Sequence, residues 1–301
     1  MDGLFKTSVI DRVRMQRFIH ITDLHFWQVV YNPCALMNKR LLGNLNLLLR
    51  RRRYIHLEWA DPFLQLLRGL DADALLVGGD VTTTATDDEY RMARAFFDKA
   101  SEDGLPIYLI PGNHDFYTFE SRRCRRFERH LGAWLDDPHA PALSQLPGGA
   151  QLLRIPTTRP NLLSSRGHIS DAQLAQTAAL LEQAGQGPLI ALAHYPILPN
   201  PGVYPSGVTR RLGNASALRR LLGDFGRPLI YLAGHVHVFS HLRDQRYPNI
   251  EQITTSALFY GKRSHPGGFT EITVQEETCR VYPWTRRDDW TRKALSEAAR
   301  T

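Results

Sequence analysis

The chain has 301 residues, 43% of them hydrophobic and 22% charged, with a formal net charge of +7. That suits a soluble globular protein of one large α/β domain or two small ones. Cys34, Cys124 and Cys279 are widely spaced and form no C-x-x-C pair, which excludes a disulfide framework, and no apolar run approaches the ~20 residues of a spanning helix.

Asp2, Lys6 and Asp11 break up the apolar residues at the start, so no signal-peptide core is expected and the chain reads as cytoplasmic. The positive charge is compatible with anionic partners: phosphate substrates, nucleic acid or acidic lipid.

In chain order, the first strand-like run is Arg17–Ile21, leading into Asp23-Leu24-His25. Residues 36–60 then interrupt the pattern. Leu41, Leu42, Leu45, Leu48 and Leu49 fall on one helical stripe, flanked by Lys39, Arg40, Arg50, Arg51, Arg52 and Arg53. An interfacial helix has this form, its apolar face in the acyl boundary and its cations on headgroups. The ordinary alternative packs the leucines on the core and leaves the arginines solvated, and Gly43, Asn44 and Asn46 lower helix propensity.

Asp61-Pro62 opens a helix carrying Phe63, Leu66 and Leu67. Ala74–Val77 follows and ends at Gly79-Asp80. A helix from Asp87 carries Met92, Phe96 and Phe97 and closes near Gly104. Ile107–Ile110 leads to Gly112-Asn113-His114-Asp115, with the basic run Arg122-Arg123-Cys124-Arg125-Arg126 close behind. Leu152–Ile155 precedes a helix opened by Ser170, carrying Leu174 and Leu181. Leu189–Ala193 ends at His194, Asn214 opens a helix with Leu218, Leu221 and Leu222, and Leu229–Leu232 ends at Gly234-His235-Val236-His237.

Most of these runs are short and apolar without alternation, as strands buried on both faces are. Glu251–Ser256 and Thr270–Val274 alternate instead, which predicts antiparallel strands with one exposed face. The expected architecture is an α/β fold, a two-layered β-sandwich with helices outside, in a single domain over residues 1–301.

Loops at the carboxyl ends of buried strands are where α/β folds place ligands. Here five such loops carry carboxylate, amide and imidazole donors, a set that suits Mn, with Fe or Zn as alternatives. Asp80 can offer one oxygen to each of two ions. A pair of ions about 3.5–4 Å apart can clamp a phosphate and acidify a water, the chemistry of phosphoryl transfer. His114, with Asp115 next to it to orient its ring, is the expected proton donor. His20, His56, His130, His139, His168, His241 and His265 have no motif context and read as surface or packing residues.

The order D-x-H, G-D, G-N-H-D, lone His and G-H-x-H resembles the calcineurin-like metallophosphoesterase superfamily, from about Asp23 to His237. That resemblance implies a four-layer α-β-β-α sandwich and two divalent metal ions. It implies that Asp23, His25, Asp80 and His237 hold one metal, that Asp80, Asn113, His194 and His235 hold the other, and that His114 and Asp115 serve catalysis. Within the superfamily, Asp23-Leu24-His25, the K-R-x-x-G-N-L-N-x-L-L-x-R-R-R-like insert and G-N-H-D-x-Y-T look like the chlamydial type of UDP-2,3-diacylglucosamine pyrophosphatase of lipid A synthesis.

By that likeness the substrate is acylated and the products are a lipid monophosphate and UMP. Lys39, Arg40, Leu41, Leu45, Leu48, Arg50, Arg51, Arg52, Arg53, Arg122, Arg123 and Arg126 would then meet substrate or an anionic membrane, on its inner face. A cyclic-nucleotide or other small-molecule phosphodiesterase shares all five motifs. A nuclease ranks lower, because the arginines neighbour leucines rather than the aromatic platforms on which bases stack.

Overall fold

A computed structural model describes residues 14–29, 52–161, 164–204, 207–262, 264–276 and 278–294. The leucine stripe and the cations Lys39, Arg40, Arg50 and Arg51 lie outside these residues. Two six-stranded sheets dominate. The first comprises β1 (Gln16–Ile21), β2 (Ala74–Val77), β3 (Ile107–Leu109), β12 (Gly267–Gln275), β13 (Thr278–Arg286) and β14 (Trp290–Arg292), in the order β14-β13-β12-β1-β2-β3. The second comprises β4 (Ala142–Gln145), β5 (Gln151–Arg154), β7 (Leu189–Leu192), β9 (Leu229–Ala233), β10 (Ser240–Arg243) and β11 (Ile250–Thr254), in the order β10-β11-β9-β7-β5-β4. A short pair, β6 (Gly167–His168) and β8 (Leu212–Gly213), stands apart.

The side-chain period of two sends alternate residues of one strand to different layers. In β1, Phe18 joins the inter-sheet core with Leu76, Leu192, Leu232, Ile253 and Ile272. Its neighbours Ile19 and Ile21 face outward, packing with Phe63 of α1 (Ala60–Gly69) and Phe96 and Phe97 of α2 (Asp87–Ala100). On the far side, Leu181 of α5 (Asp171–Glu182) and Leu218 and Leu222 of α6 (Ala215–Asp224) cover Leu153, Ala191 and Tyr231. Two shorter helices, α3 (Phe119–Arg123) and α4 (Arg126–Leu131), follow β3. The result is the α-β-β-α layering expected from sequence.

Four details differ from expectation. Strand β12 does pair antiparallel with β1 and β13, but eight of its nine residues are buried. It lies mid-sheet between two layers, and its polar residues are satisfied internally: Glu271 accepts from Arg17, Trp284 and Arg292. Met92 is exposed rather than packed. The helix expected to start at Pro62, with Asp61 as its N-cap, begins two residues earlier at Ala60, with Trp59 at its N-cap. The described end of the insert is not a continuous helix: Arg52–Tyr54 and Leu57–Trp59 are single 3-10 turns, with Ile55 bridged to Tyr260 between them.

Helix α2 begins with a full capping box, Thr86 accepting from the Glu89 amide and Glu89 from the Thr86 amide. Glu89 is fully buried, and burial pushes its carboxyl up to about 7 from 4.5, against hydrogen bonds from Thr84 and Thr86. Because folding raises this pKa, the stability it confers is fully present below about pH 4.5 and is lost as pH rises through 7. Glu89→Gln keeps an acceptor there and removes the titration. Denaturant melts are expected to show the variant gaining about 2–3 kcal/mol on wild type between pH 5 and pH 8. A flat difference would show that Glu89 stays ionised in the fold.

Candidate metal centre

Strands β1, β2 and β3 run parallel, as do β5, β7, β9 and β11, so the motif loops leave their carboxyl ends on the same side of each sheet. Backbone hydrogen bonds lace the loops together: the Asp23 amide donates to Gly79 O (2.9 Å), His25 to Asp80 O (3.0 Å) and Gly234 to His194 O (3.0 Å). Glycine permits the closest approaches. A Cβ on Gly112 would collide with Asp80, and one on Gly234 with Thr22 and Asp23. Asp23, His25, Asp80, His235 and His237 all adopt φ between 52° and 68°, a left-handed backbone rare outside glycine.

The side chains converge as three overlapping donor groups: Asp23, His25 and His237; His25, Asp80 and His114; and Asp80, His194 and His235. Nε2 of His25 and Nε2 of His237 stand 3.1 Å apart, and Asp23 Oδ1 lies 3.1 Å from His237 Nε2 without normal hydrogen-bond geometry. Asn113 Oδ1 sits 3.2 Å from His194 Nε2 and 2.9 Å from His235 Nδ1. All seven residues named from sequence as metal ligands are therefore brought together.

Backbone carbonyls set which ring nitrogens face inward. His194 Nδ1 bonds Gly78 O (2.8 Å), His235 Nε2 bonds Arg210 O (2.8 Å) and His114 Nδ1 bonds Thr83 O (2.6 Å). The opposite nitrogen of each ring is thereby kept for the centre.

The electrostatics match a cation site. Asp23 and Asp80 are buried, and among the described residues no Lys or Arg pairs with either. Burial pushes both carboxyls up, but neighbouring imidazoles outweigh it, His237 and His194 at Asp23 and His194 and His114 at Asp80. Both end below the usual carboxylate range. His194 opposes its own burial and is pushed up to about 9 by Asp80 and Asp23, whereas burial and His194 push His235 down to about 3. Two buried carboxylates need positive charge beside them, and these oxygen and nitrogen donors fit two divalent cations.

Asp115 requires a correction. No hydrogen bond joins its carboxylate to the His114 ring. Its Oδ1 accepts from the Thr82 amide (3.0 Å) and hydroxyl (3.1 Å), and its Oδ2 from the Gly112 amide (2.8 Å). Burial and the nearby Asp80 push its carboxyl up to about 7. It fastens the second motif loop to the third, and the Thr83 carbonyl holds the ring instead.

Other expected contacts are dispersed. Arg126 is tied to Asp87 (2.9 Å) and Glu120 (2.6 Å). Arg122 and Arg123 edge a separate cavity of about 940 Å³ beside the exposed Phe119. Arg52 lies over the Trp27 ring and Arg53 over Tyr54. His20 is a packing histidine, buried against Thr255 Oγ1 at 2.7 Å. Sequence reasoning missed Tyr195, whose hydroxyl donates toward Asn113 Oδ1 (3.2 Å) and Ser165 O (2.5 Å). Its position next to His194 was the available signal.

Residues 16–239 match the family model for calcineurin-like phosphoesterases. A glycerophosphodiester phosphodiesterase, GpdQ, of Enterobacter lignolyticus is 29% identical over 182 residues, covering 60% of this chain and 56% of that protein. The matched stretch thus spans little more than half the length of that relative. A dimetal phosphatase from Danio rerio superposes with a TM-score of 0.59 at 16% identity, covering 90% of this chain and 99% of the other. The purple acid phosphatase PPD1 of yellow lupin (Lupinus luteus) seeds gives 0.58 at 13% identity, with 96% and 57% covered. At such identities the likeness is one of fold.

Proposed function

The chain belongs to the calcineurin-like phosphoesterase family, and from that premise we propose that it is a metal-dependent phosphoric-ester hydrolase that cleaves a diphosphate diester, UDP-2,3-diacylglucosamine, to a lipid monophosphate and UMP. The observation that carries the hydrolytic chemistry is the convergence of three donor groups that share His25 and Asp80. Asp23, His25, Asp80 and His237 would hold one metal, and Asp80, Asn113, His194 and His235 the other. When bound, such ions neutralise phosphate charge and acidify water.

The residues of the chain do the rest. The Asp80 carboxylate, accepting from the His114 amide (2.6 Å), fixes the third loop against the second. His114, anchored through Nδ1 on Thr83 O, keeps Nε2 for substrate. When doubly protonated, it donates that proton to the departing oxygen. Tyr117 stacks on the His114 ring at 5.4 Å and narrows its motion.

The acylated substrate is supported by the leucine and arginine insert in the sequence, and a place at the inner membrane face goes with it. Among the described residues no helix is long and apolar enough to cross a membrane. A second reading, hydrolysis of a small glycerophosphodiester, is favoured by the 29% identity to GpdQ. Purified protein supplemented in turn with Mn²⁺, Fe²⁺ and Zn²⁺ separates them. Our reading expects UDP-2,3-diacylglucosamine to be cleaved with kcat/KM at least about a hundredfold above glycerophosphodiesters, cyclic AMP and single-stranded DNA. A preference for glycerophosphodiester would reverse the two.

A further inference from the structure

Beside the metal centre lies a cavity of about 390 Å³, lined by Arg210, His235, His237, Tyr260, Lys262 and His265 among others. His235 and His237 form the wall it shares with the centre. The remaining walls carry a guanidinium and an ammonium group, and among the described residues no carboxylate lines it. Among the described residues, no acidic group pairs with Arg210 or Lys262.

Both cations are placed by the same structure that places the histidines. The Arg210 carbonyl oxygen accepts from His235 Nε2 at 2.8 Å, so the guanidinium is carried on the residue that orients that ring. The Lys262 ammonium lies 4.7 Å from the Tyr54 ring centre and 5.5 Å from that of Tyr260. Tyr54 and Tyr260 meet edge to face at 5.8 Å, and Tyr260 packs on His237 at 5.2 Å. The Gly261 amide donates to Tyr54 O (2.9 Å), and Lys262 and His265 exchange backbone hydrogen bonds of 2.9 and 3.0 Å. Aromatic faces steady a cation without neutralising it. The charge of Lys262 stays available to an anion, whereas a carboxylate partner would have consumed it.

We propose that Arg210 and Lys262 form a subsite for a second phosphate of the substrate, next to the phosphate that reacts at the metal centre. This rests on the phosphoesterase reading above and adds the residues that select for a diphosphate. A diphosphate diester carries one more negative charge than a single-phosphate diester, and Arg210 and Lys262 are placed to meet it. Guanidinium and ammonium groups recognise phosphate oxygens through charge-assisted hydrogen bonds.

The test compares two inert probes by calorimetry on the metal-loaded full chain: methylenediphosphonate and methylphosphonate. Wild type is expected to prefer the diphosphonate by at least about tenfold, and Lys262→Gln or Arg210→Gln to narrow that ratio by about 5- to 20-fold. Lys262→Arg restores it. Both positions are exposed, so the fold tolerates the changes. An unchanged ratio, or a proportionate loss of both ligands, overturns the subsite. Turnover of bis(p-nitrophenyl) phosphate by wild type tests the phosphoesterase reading separately. Absence of turnover on both this diester and UDP-2,3-diacylglucosamine would sink that reading, while the binding ratio would still decide the subsite.

Discussion

Asp80→Ala is expected to lose bound metal and hydrolysis together, with kcat for bis(p-nitrophenyl) phosphate falling by at least about a thousandfold. Asp80 belongs to two of the three donor groups, one with His25 and His114 and one with His194 and His235. Its Oδ2 lies 3.4 Å from His194 Nε2, and its Oδ1 takes the His114 amide proton. Removing the carboxylate thus strips the centre of a shared ligand and frees the third motif loop. It also leaves His194 without its main counter-charge. Elemental analysis of the purified variant reads the metal directly. A protein that keeps two equivalents of metal with Asp80 gone would refute the sharing assigned to it.

His114→Ala should separate the two properties that Asp80 joins. Metal content is expected to stay at the wild-type level, while turnover of an alkyl phosphodiester drops by about 10²- to 10⁴-fold, the range of a positioned general acid. The leaving group supplies the diagnostic. Nitrophenolate departs without protonation, so bis(p-nitrophenyl) phosphate should lose far less than an alkyl diester. Equal losses on the two substrates would mean that His114 positions the phosphate and transfers no proton. Its ring is well placed for either substrate, meeting His25 edge-on at 4.8 Å.

The metal centre was legible in sequence for a physical reason. A strand buried on both faces is a short apolar run, and the polar residues just after it sit at the strand's carboxyl end. Asp23, Asp80, Asn113, His194 and His235 each follow such a run, so order and spacing sufficed. What failed were inferences that equated adjacency in sequence with contact. Asp115 follows His114, yet its carboxylate bonds Thr82 and Gly112, and the group that holds the His114 ring is a carbonyl from Thr83. Strand β12 read as half-exposed because Thr270, Glu271 and Thr273 are polar, but cross-strand partners satisfy a polar residue as well as water does. The Arg210 and Lys262 pair left no local trace at all. Its supporting residues come from positions 54, 210, 235 and 260, and no motif spans such distances.

The left-handed backbone at Asp23, His25, Asp80, His235 and His237 has a consequence for how such a protein changes over time. Each such residue carries about 1–2 kcal/mol of backbone cost that glycine would avoid. Glycine at these five positions would relieve that cost, as it would at Asp71, Ala85, Arg125, Asn214 and Glu276, but here it would also remove a donor from the centre. Durability and chemistry pull this backbone in opposite directions, and the five residues record which of them has prevailed.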